Sequence, residues 1–155
     1  MTNQNPYPIS SLTKEDIPKV MDLYRSAILP VWLESGRDHN MEKVARTMEA
    51  RLVLPDHSMF VVHDPKTKAV TGYLAWEKHE EHTSNHMIAH LRMILVDPEQ
   101  QGTGLGRRLM EEFENSAKAD NCTKILFDVV TGSPARQFYE SLGFWHWSDY
   151  MEKKL

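Results

Sequence analysis

Three glycines at alternate positions, Gly102, Gly104 and Gly106, stand in "QQGTGLGRRL" just before an amphipathic run that opens with two arginines. The apolar stretch "MILV" precedes them, so the segment reads as a strand, a tight loop and a helix start. That arrangement suits an anion. Glycines let backbone N–H groups approach a ligand with no Cβ in the way. A helix start adds unpaired N–H groups and the positive end of the helix dipole. Together they form a cradle for a pyrophosphate, whereas a plain strand-to-helix turn needs only one glycine. Two nucleotide signatures fail. The dinucleotide fingerprint requires glycine where Arg107 stands, and no βαβ unit precedes it. The P-loop requires Gly-Lys-Ser/Thr, but Arg107 and Arg108 follow Gly106.

"QQGTGLG" resembles the Q/R-x-x-G-x-G/A signature of the GNAT superfamily of acetyl-CoA-dependent N-acetyltransferases, with Gln101, Gly104 and Gly106 on its fixed positions. "ARQFYESLGF" resembles that family's later A-x-x-x-Y-x-x-x-G-F element, in the right order and one helix and one strand further on. The resemblance implies acetyl-CoA as cosubstrate. It assigns the coenzyme's pyrophosphate to the loop of Gln101, Gly102, Thr103, Gly104, Leu105 and Gly106, and its pantetheine to the backbone of Ile94, Leu95 and Val96. Arg107 at the helix start and Arg136 are further phosphate partners, while Arg108 reads as solvated. Gly132 stands where many members of the family carry asparagine.

Acetylation of an amine needs a base for the ammonium proton, donors for the developing oxyanion, and an acid for the departing thiolate. Tyr139 matches the family's acid tyrosine. His90, in "MIAHLRMILVD", lies toward the start of the strand implied to bind pantetheine, and is the candidate base. Family members often carry glutamate at that position; arylalkylamine acetyltransferases, which "IAHL" resembles, carry histidine. An imidazole with an unperturbed pKa near 6.5 accepts a proton at neutral pH. Glu77 is the reserve base. Arg92 shares the face of His90 by period-two alternation, where it depresses the imidazole pKa or binds a substrate anion. The single cysteine, Cys122, excludes an intrachain disulfide and reads as a packed thiol, so direct attack in a ternary complex is expected. A second reading is a non-catalytic acyl-CoA-binding module with the same glycine loop. "HEEHTSNH" lacks H-E-x-x-H spacing and reads as a solvated turn, so no metal is expected.

In the resembling family the acceptor, a primary amine of a small molecule or peptide, meets the loop after the first helix and the last strands. Here those are "ILPVWLESGRDHN" and "FWHWSDY". Trp32, Trp145 and Trp147 form a candidate aromatic pocket, with Glu34 or Asp149 to hold an ammonium.

Positioning these groups takes a particular set of elements. Helical spacing of apolar residues and the cap signals predict helices over 17–29, 41–54, 104–121 and 133–144. "YPISSL", "SMFVVHD", "AVTGYLAWEKH", "HMIAHLRMILVD", "KILFDVV" and "WHWSDYMEKKL" read as strands, and Pro30 as a helix stop before a loop. The order is β-α-α-β-β-β-α-β-α-β: an α/β (α+β) GNAT-like fold with a central mixed, mostly antiparallel sheet flanked by helices. One domain over 1–155 fits the length of 155 residues. The net charge of −4 lacks the basic face of a nucleic-acid binder. With no leader pattern and no apolar run of membrane length, the chain reads as cytoplasmic. A homodimer, common in the family, is a further expectation.

Overall fold

The computed structural model describes residues 7–155. The reading of the chain's start as free of a leader falls largely outside the described residues. Strand β1 (Ile9–Ser11) is followed by helices α1 (Ile17–Ala27), α2 (Leu29–Glu34) and α3 (Met41–Arg51). Three strands come next, β2 (His57–His63), β3 (Val70–Glu80) and β4 (Met87–Val96). Helix α4 (Leu105–Ala119), strand β5 (Cys122–Leu126) and helix α5 (Ala135–Ser141) complete the order.

The five strands form one sheet in chain order, antiparallel from β1 to β4 and parallel between β4 and β5. Strand alternation sorts its apolar residues into two cores. On one face Met59, Val61, Tyr73, Ala75 and Leu95 pack under α1 and α3. On the other, Val62, Leu74, Trp76 and Leu91 pack against Leu105, Leu109, Met110 and Phe113 of α4. These four α4 side chains are almost fully buried, each stabilising the fold by about 1.5–3 kcal/mol relative to exposure. Gly72 makes the close approach of α4 to β3 feasible. A Cβ there would stand 3.2 Å from Leu109 Cδ1 and 3.3 Å from Leu105 Cδ2.

At the other end of the first core, the buried Asp16 carboxylate accepts from the Thr13 amide and hydroxyl, both at 2.9 Å, and from His63 Nε2 at 2.7 Å. It ties the start of α1 to β2. Burial pushes this carboxyl up, yet the bonds from Thr13 and His63 outweigh it and hold it below its ordinary value.

Three elements differ from the sequence reading. Residues 29–34 are a short helix rather than loop, because Pro30 sits in a first turn, where its missing N–H costs nothing. Strand β5 ends at Leu126, so residues 127–130 leave the sheet. The tail 145–155 forms no strand: Trp145, Trp147 and Tyr150 are 78%, 80% and 82% exposed. Aromatic residues favour strands when a neighbouring strand or face receives them, and this tail has neither. Among the described residues no helix is long and apolar enough to cross a membrane.

Candidate active site

The parallel pairing of β4 with β5 stops at His90–Leu126, whereas β4 continues to Val96 in register with β3 alone. Beyond His90 the two strands part. Among the described residues, 91–96 of β4 therefore have one backbone edge with no strand partner, and this stretch contains Ile94, Leu95 and Val96. Leu95 is buried in the α1 side of the core, while Ile94 and Val96 pack partly into the α4 side. Their side chains serve the core, and the edge left over is main chain.

The glycine loop closes the open end of this fork. A single 3-10 turn, Pro98–Gln100, is capped by the Asp97 carboxylate, which accepts from the Glu99 amide at 2.9 Å. Thr103 Oγ1 donates to the Gln100 carbonyl at 2.6 Å. Gly104 then starts α4 in the left-handed region, with φ +88°, and no side chain caps the helix. The N–H groups of the first turn are left for a ligand. A Cβ on Gly102 or Gly104 would meet nothing within 4 Å, so glycine at 104 answers to backbone conformation rather than to crowding. Gly106 differs, since a Cβ there would lie 3.4 Å from Phe138 Cζ. It sets how closely α5 packs on α4.

Of the basic residues, Arg107 is exposed at the helix start, its Nη2 donating to Ser141 Oγ at 3.4 Å. Arg136 is exposed on α5 and paired with Glu140 at 2.8 Å. Arg108 is not simply solvated: its Nη2 donates to the Tyr7 carbonyl at 2.9 Å. It braces the segment that enters β1.

His90 sits at the last rung of the fork, opposite Glu77 on β3, which in turn pairs with His57 on β2. Alternation from Tyr73 and Ala75 puts Glu77 and His79 on the α1–α3 face of the sheet. His57 Nε2 meets Glu77 Oε2 at 2.7 Å, and Arg92 Nη2 donates to Glu77 Oε1. The His79 and His90 rings lie 5.8 Å apart between centroids. Donor atoms of Glu77, His79 and His90 all fall within 4.8 Å of one another, a spacing that could hold a metal ion, although both Glu77 oxygens already have partners. The sequence groups His79 with His82 in a polar turn; the fold puts it beside His90 instead. His57 escaped sequence reading, and its signal was available: alternation along "HSMFVVH" puts His57 on the face of Met59 and Val61.

Arg92 reaches Glu77 from the face it shares with His90, beside an irregularity in β4. Ala75 pairs with Met93 but Trp76 with Leu91, so Arg92 is the extra residue of a β-bulge. Leu91 and Ile94, three apart, consequently share the α4 face. Ala89 lies with Leu91 on the α4 side, so His90 and Arg92 share the opposite face as period-two alternation expects, and the break in alternation comes only after Arg92.

Burial, and then the Arg92 charge, hold the His90 imidazole below its usual value, against the opposing pull of Asp128 and Glu77. Burial raises the Glu77 carboxyl, but Arg92, His57 and Arg51 outweigh it and the net shift is downward. Glu77 is thus a committed carboxylate, better suited to orient than to accept a proton. Tyr139 lies across the fork. Its ring packs 4.4 Å from that of Phe127, the residue after β5, and contacts Phe138 and Phe144. Burial pushes its hydroxyl up to about 12, so it keeps its proton at neutral pH. The Cys122 thiol is also raised by burial and by the Asp120 charge, which suits packing rather than nucleophilic attack.

A cavity of about 330 Å³ opens on the His90 face of the sheet, between α1, α3 and the β4 bulge. Tyr24, His39, Lys43, Arg51, Tyr73 and Arg92 are among the residues that line it. The expected aromatic pocket does not assemble. Trp32 packs tilted against His39, at 5.3 Å, and under Arg37, at 4.9 Å, without lining this cavity. Trp145 and Trp147 stand in the exposed tail, and Glu34 is exposed at the end of α2. Asp149 is paired with His146 at 2.8 Å.

The sequence profile of the acetyltransferase (GNAT) domain matches residues 55–146, which include the fork, the glycine loop, His90 and Tyr139. The chain belongs to the GNAT acetyltransferase family. This GNAT domain is 32% identical over 94 residues to a mycothiol acetyltransferase of Kocuria rhizophila, a match that takes in 60% of the chain and 31% of the relative. It is 32% identical over 57 residues to a glucosamine 6-phosphate N-acetyltransferase of Trypanosoma brucei brucei, 37% of each chain. The chain spans about a third of the length of the curated relatives it matches. A crystal structure of a mutant Bacillus halodurans protein superposes with a TM-score of 0.85 at 21% identity, covering 96% of this chain and 99% of that one. At that identity the likeness speaks to the fold alone.

Proposed function

We propose that this GNAT domain transfers the acetyl group of acetyl-CoA to a primary amine of a small molecule or peptide, by direct attack in a ternary complex. The observation that carries the reading is the fork: β4 and β5 part at His90, and the glycine loop lies at the far end of the free β4 edge. The site fits the coenzyme on its own chemistry. The uncapped first turn of α4 offers N–H donors to a diphosphate, and the unpartnered edge of residues 91–96 offers main-chain donors and acceptors to an amide-bearing arm. Gln101, Gly102, Thr103, Gly104, Leu105, Gly106 and Arg107 hold the diphosphate, with Arg136 at the edge, and Ile94, Leu95 and Val96 hold the arm.

The coenzyme supplies an acyl group activated as a thioester. His90 takes the proton of the acceptor ammonium on a ring nitrogen, and the freed nitrogen attacks as the C–N bond forms. Glu77, fixed by His57 and Arg92, faces His90 across the strands and favours the imidazolium that results. Tyr139 gives its hydroxyl proton to the sulfur as the C–S bond breaks. No enzyme nucleophile enters, in keeping with the packed Cys122. The relative named for glucosamine 6-phosphate supports a small amine as acceptor.

The test is thiol release from acetyl-CoA across a panel of amines, run beside a calorimetric titration with coenzyme A. Amine-dependent release supports transfer. Coenzyme binding with no turnover on any amine would identify a non-catalytic acyl-CoA-binding module.

A further inference from the structure

We infer that the acceptor of this domain carries an anionic group, a phosphate or carboxylate, beside its amine, and that Lys43 and Arg51 bind it. The inference rests on the acetyl-transfer reading and deepens it. It starts from the charges around the cavity on the His90 face. Lys43, Arg51 and Arg92 all line it, against one lining carboxylate, Asp38. The whole chain carries a net charge of −4, so a cationic cavity runs against the overall composition.

The state of these cations matters more than their count. Elsewhere on the surface Lys14, Arg25, Arg46, Lys78, Lys124 and Arg136 each have a carboxylate partner. Among the described residues neither Lys43 nor Arg51 has an ion pair, and Arg92 spends one N–H group on Glu77. Among the described residues Lys19, Lys66, Lys68, Arg107 and Lys118 also lack a carboxylate partner, but none of them lines the cavity. Arg51 closes α3 half-buried, and its charge is felt by Tyr73 and Glu77 on the strand beneath. Its guanidinium is therefore held near the sheet. Among the described residues Asp38 makes no ion pair with Lys43 or Arg51, and Glu77 is taken by His57 and Arg92, so those two charges are left to meet an anion that enters the cavity.

The fold keeps the opening in place. Tyr24 Oη and His39 Nδ1, both of lining residues, are hydrogen-bonded at 2.7 Å, which fixes the connection before α3 against α1. Asn40 caps α3 by accepting from the Lys43 amide at 2.9 Å. The volume of about 330 Å³ lies at the small end of ligand sites. That suits a compact molecule with its amine at one end and its anion at the other. Arg92, at the bulge, belongs both to this cavity and to the His90–Glu77 row. An acceptor anchored by Lys43 and Arg51 accordingly extends its amine toward the fork.

The experiment compares matched amines that differ only in the anion: glucosamine against glucosamine 6-phosphate, ethanolamine against O-phosphoethanolamine, and glycinamide against glycine. The anionic member of at least one pair is expected to have a kcat/KM about tenfold or more above its neutral mate, as suits a charge-assisted contact. Which pair responds separates phosphate from carboxylate. In Arg51→Gln and Lys43→Gln the preference should collapse through a higher KM, with kcat and the neutral mate's rate little changed. Neutral members that react as well as, or better than, anionic ones would overturn the inference and leave acetyl transfer standing.

Where no pair turns over, inorganic phosphate decides. The protein is first saturated with coenzyme A to fill the glycine loop, then titrated with phosphate while amide resonances are followed. Shifts centred on residues 43, 51 and 92 that vanish in Arg51→Gln support the site; their absence from the native protein removes it. A failure of coenzyme A to bind is read separately by calorimetry. It counts against the acetyl-transfer reading, while the phosphate titration still judges the anion site.

Discussion

Two side chains approach the fork, His90 from strand β4 and Tyr139 from helix α5, with opposite proton affinities. Tyr139 holds its proton because burial lifts its hydroxyl to about 12, and His90 sheds its own because burial and Arg92 depress it. That is the pairing an acid and a base require at one pH. Tyr139→Phe keeps the ring packing on Phe127 and removes only the proton, so kcat should fall roughly 100-fold or more while coenzyme A affinity holds. A steady-state and calorimetric pair of measurements checks this, and unchanged turnover would take Tyr139 out of the mechanism. The base works when neutral, so kcat/KM should rise with pH through an inflection below about 6.5. In Arg92→Gln the imidazole loses a cation that depresses it, and the inflection should move to higher pH. His90→Ala should erase this limb; a pH–rate profile with the limb intact would pass the role to another group. The same depressed pKa makes His90 contribute stability above its unfolded value, lost as pH falls through the folded one.

At the scale of elements, strands β2, β3 and β4 were legible because "SMFVVHD", "AVTGYLAWEKH" and "HMIAHLRMILVD" alternate or run apolar. Helix α4 was legible because Leu105, Leu109 and Phe113 recur at helical spacing. The bulge was not. One residue added to a strand leaves composition untouched and is visible only when Met93 and Leu91 are matched to adjacent residues of β3. The tail misled because Trp145, Trp147 and Tyr150 have strand propensity without a strand to receive them. The cationic cavity is not legible for a related reason: Lys43, Arg51 and Arg92 come from separate elements, and no local pattern joins them. The glycine loop, by contrast, carries its conformation in its sequence, and that makes it testable. With φ +88° and open space around it, Gly104→Ala meets no clash, so its effect comes from backbone strain of about 1–2 kcal/mol. Chemical denaturation should show a loss of that order, and coenzyme A affinity should drop with it as the first turn of α4 shifts. Full stability with unchanged affinity would show that the left-handed conformation is dispensable.

Across the whole molecule, β4 is the shared member. It contributes to both cores, pairs with β3 along its length, and releases β5 at His90, so the two sides of the fork are joined by strand pairing only below that rung. A ligand lying in the fork and gripping the start of α4 restores contacts that the sheet lacks there. Binding to the folded state alone then raises global stability by mass action, about 2.7 kcal/mol at a ligand concentration of 100 Kd. For a domain of this size each kcal/mol moves the midpoint by roughly 2–4 °C. Saturating coenzyme A should therefore raise the melting temperature by about 5–10 °C, whether or not an amine acceptor is present. NAD, which also carries a diphosphate but no pantetheine arm, should shift it little, because the free β4 edge would stay unfilled. Gly104→Ala should show a smaller rise than the native chain at the same coenzyme concentration. Equal shifts with NAD and coenzyme A would mean that the helix start alone recognises the ligand. In that case the parting of β4 from β5 at His90 would have no part in binding, and the reading that depends on it would fall.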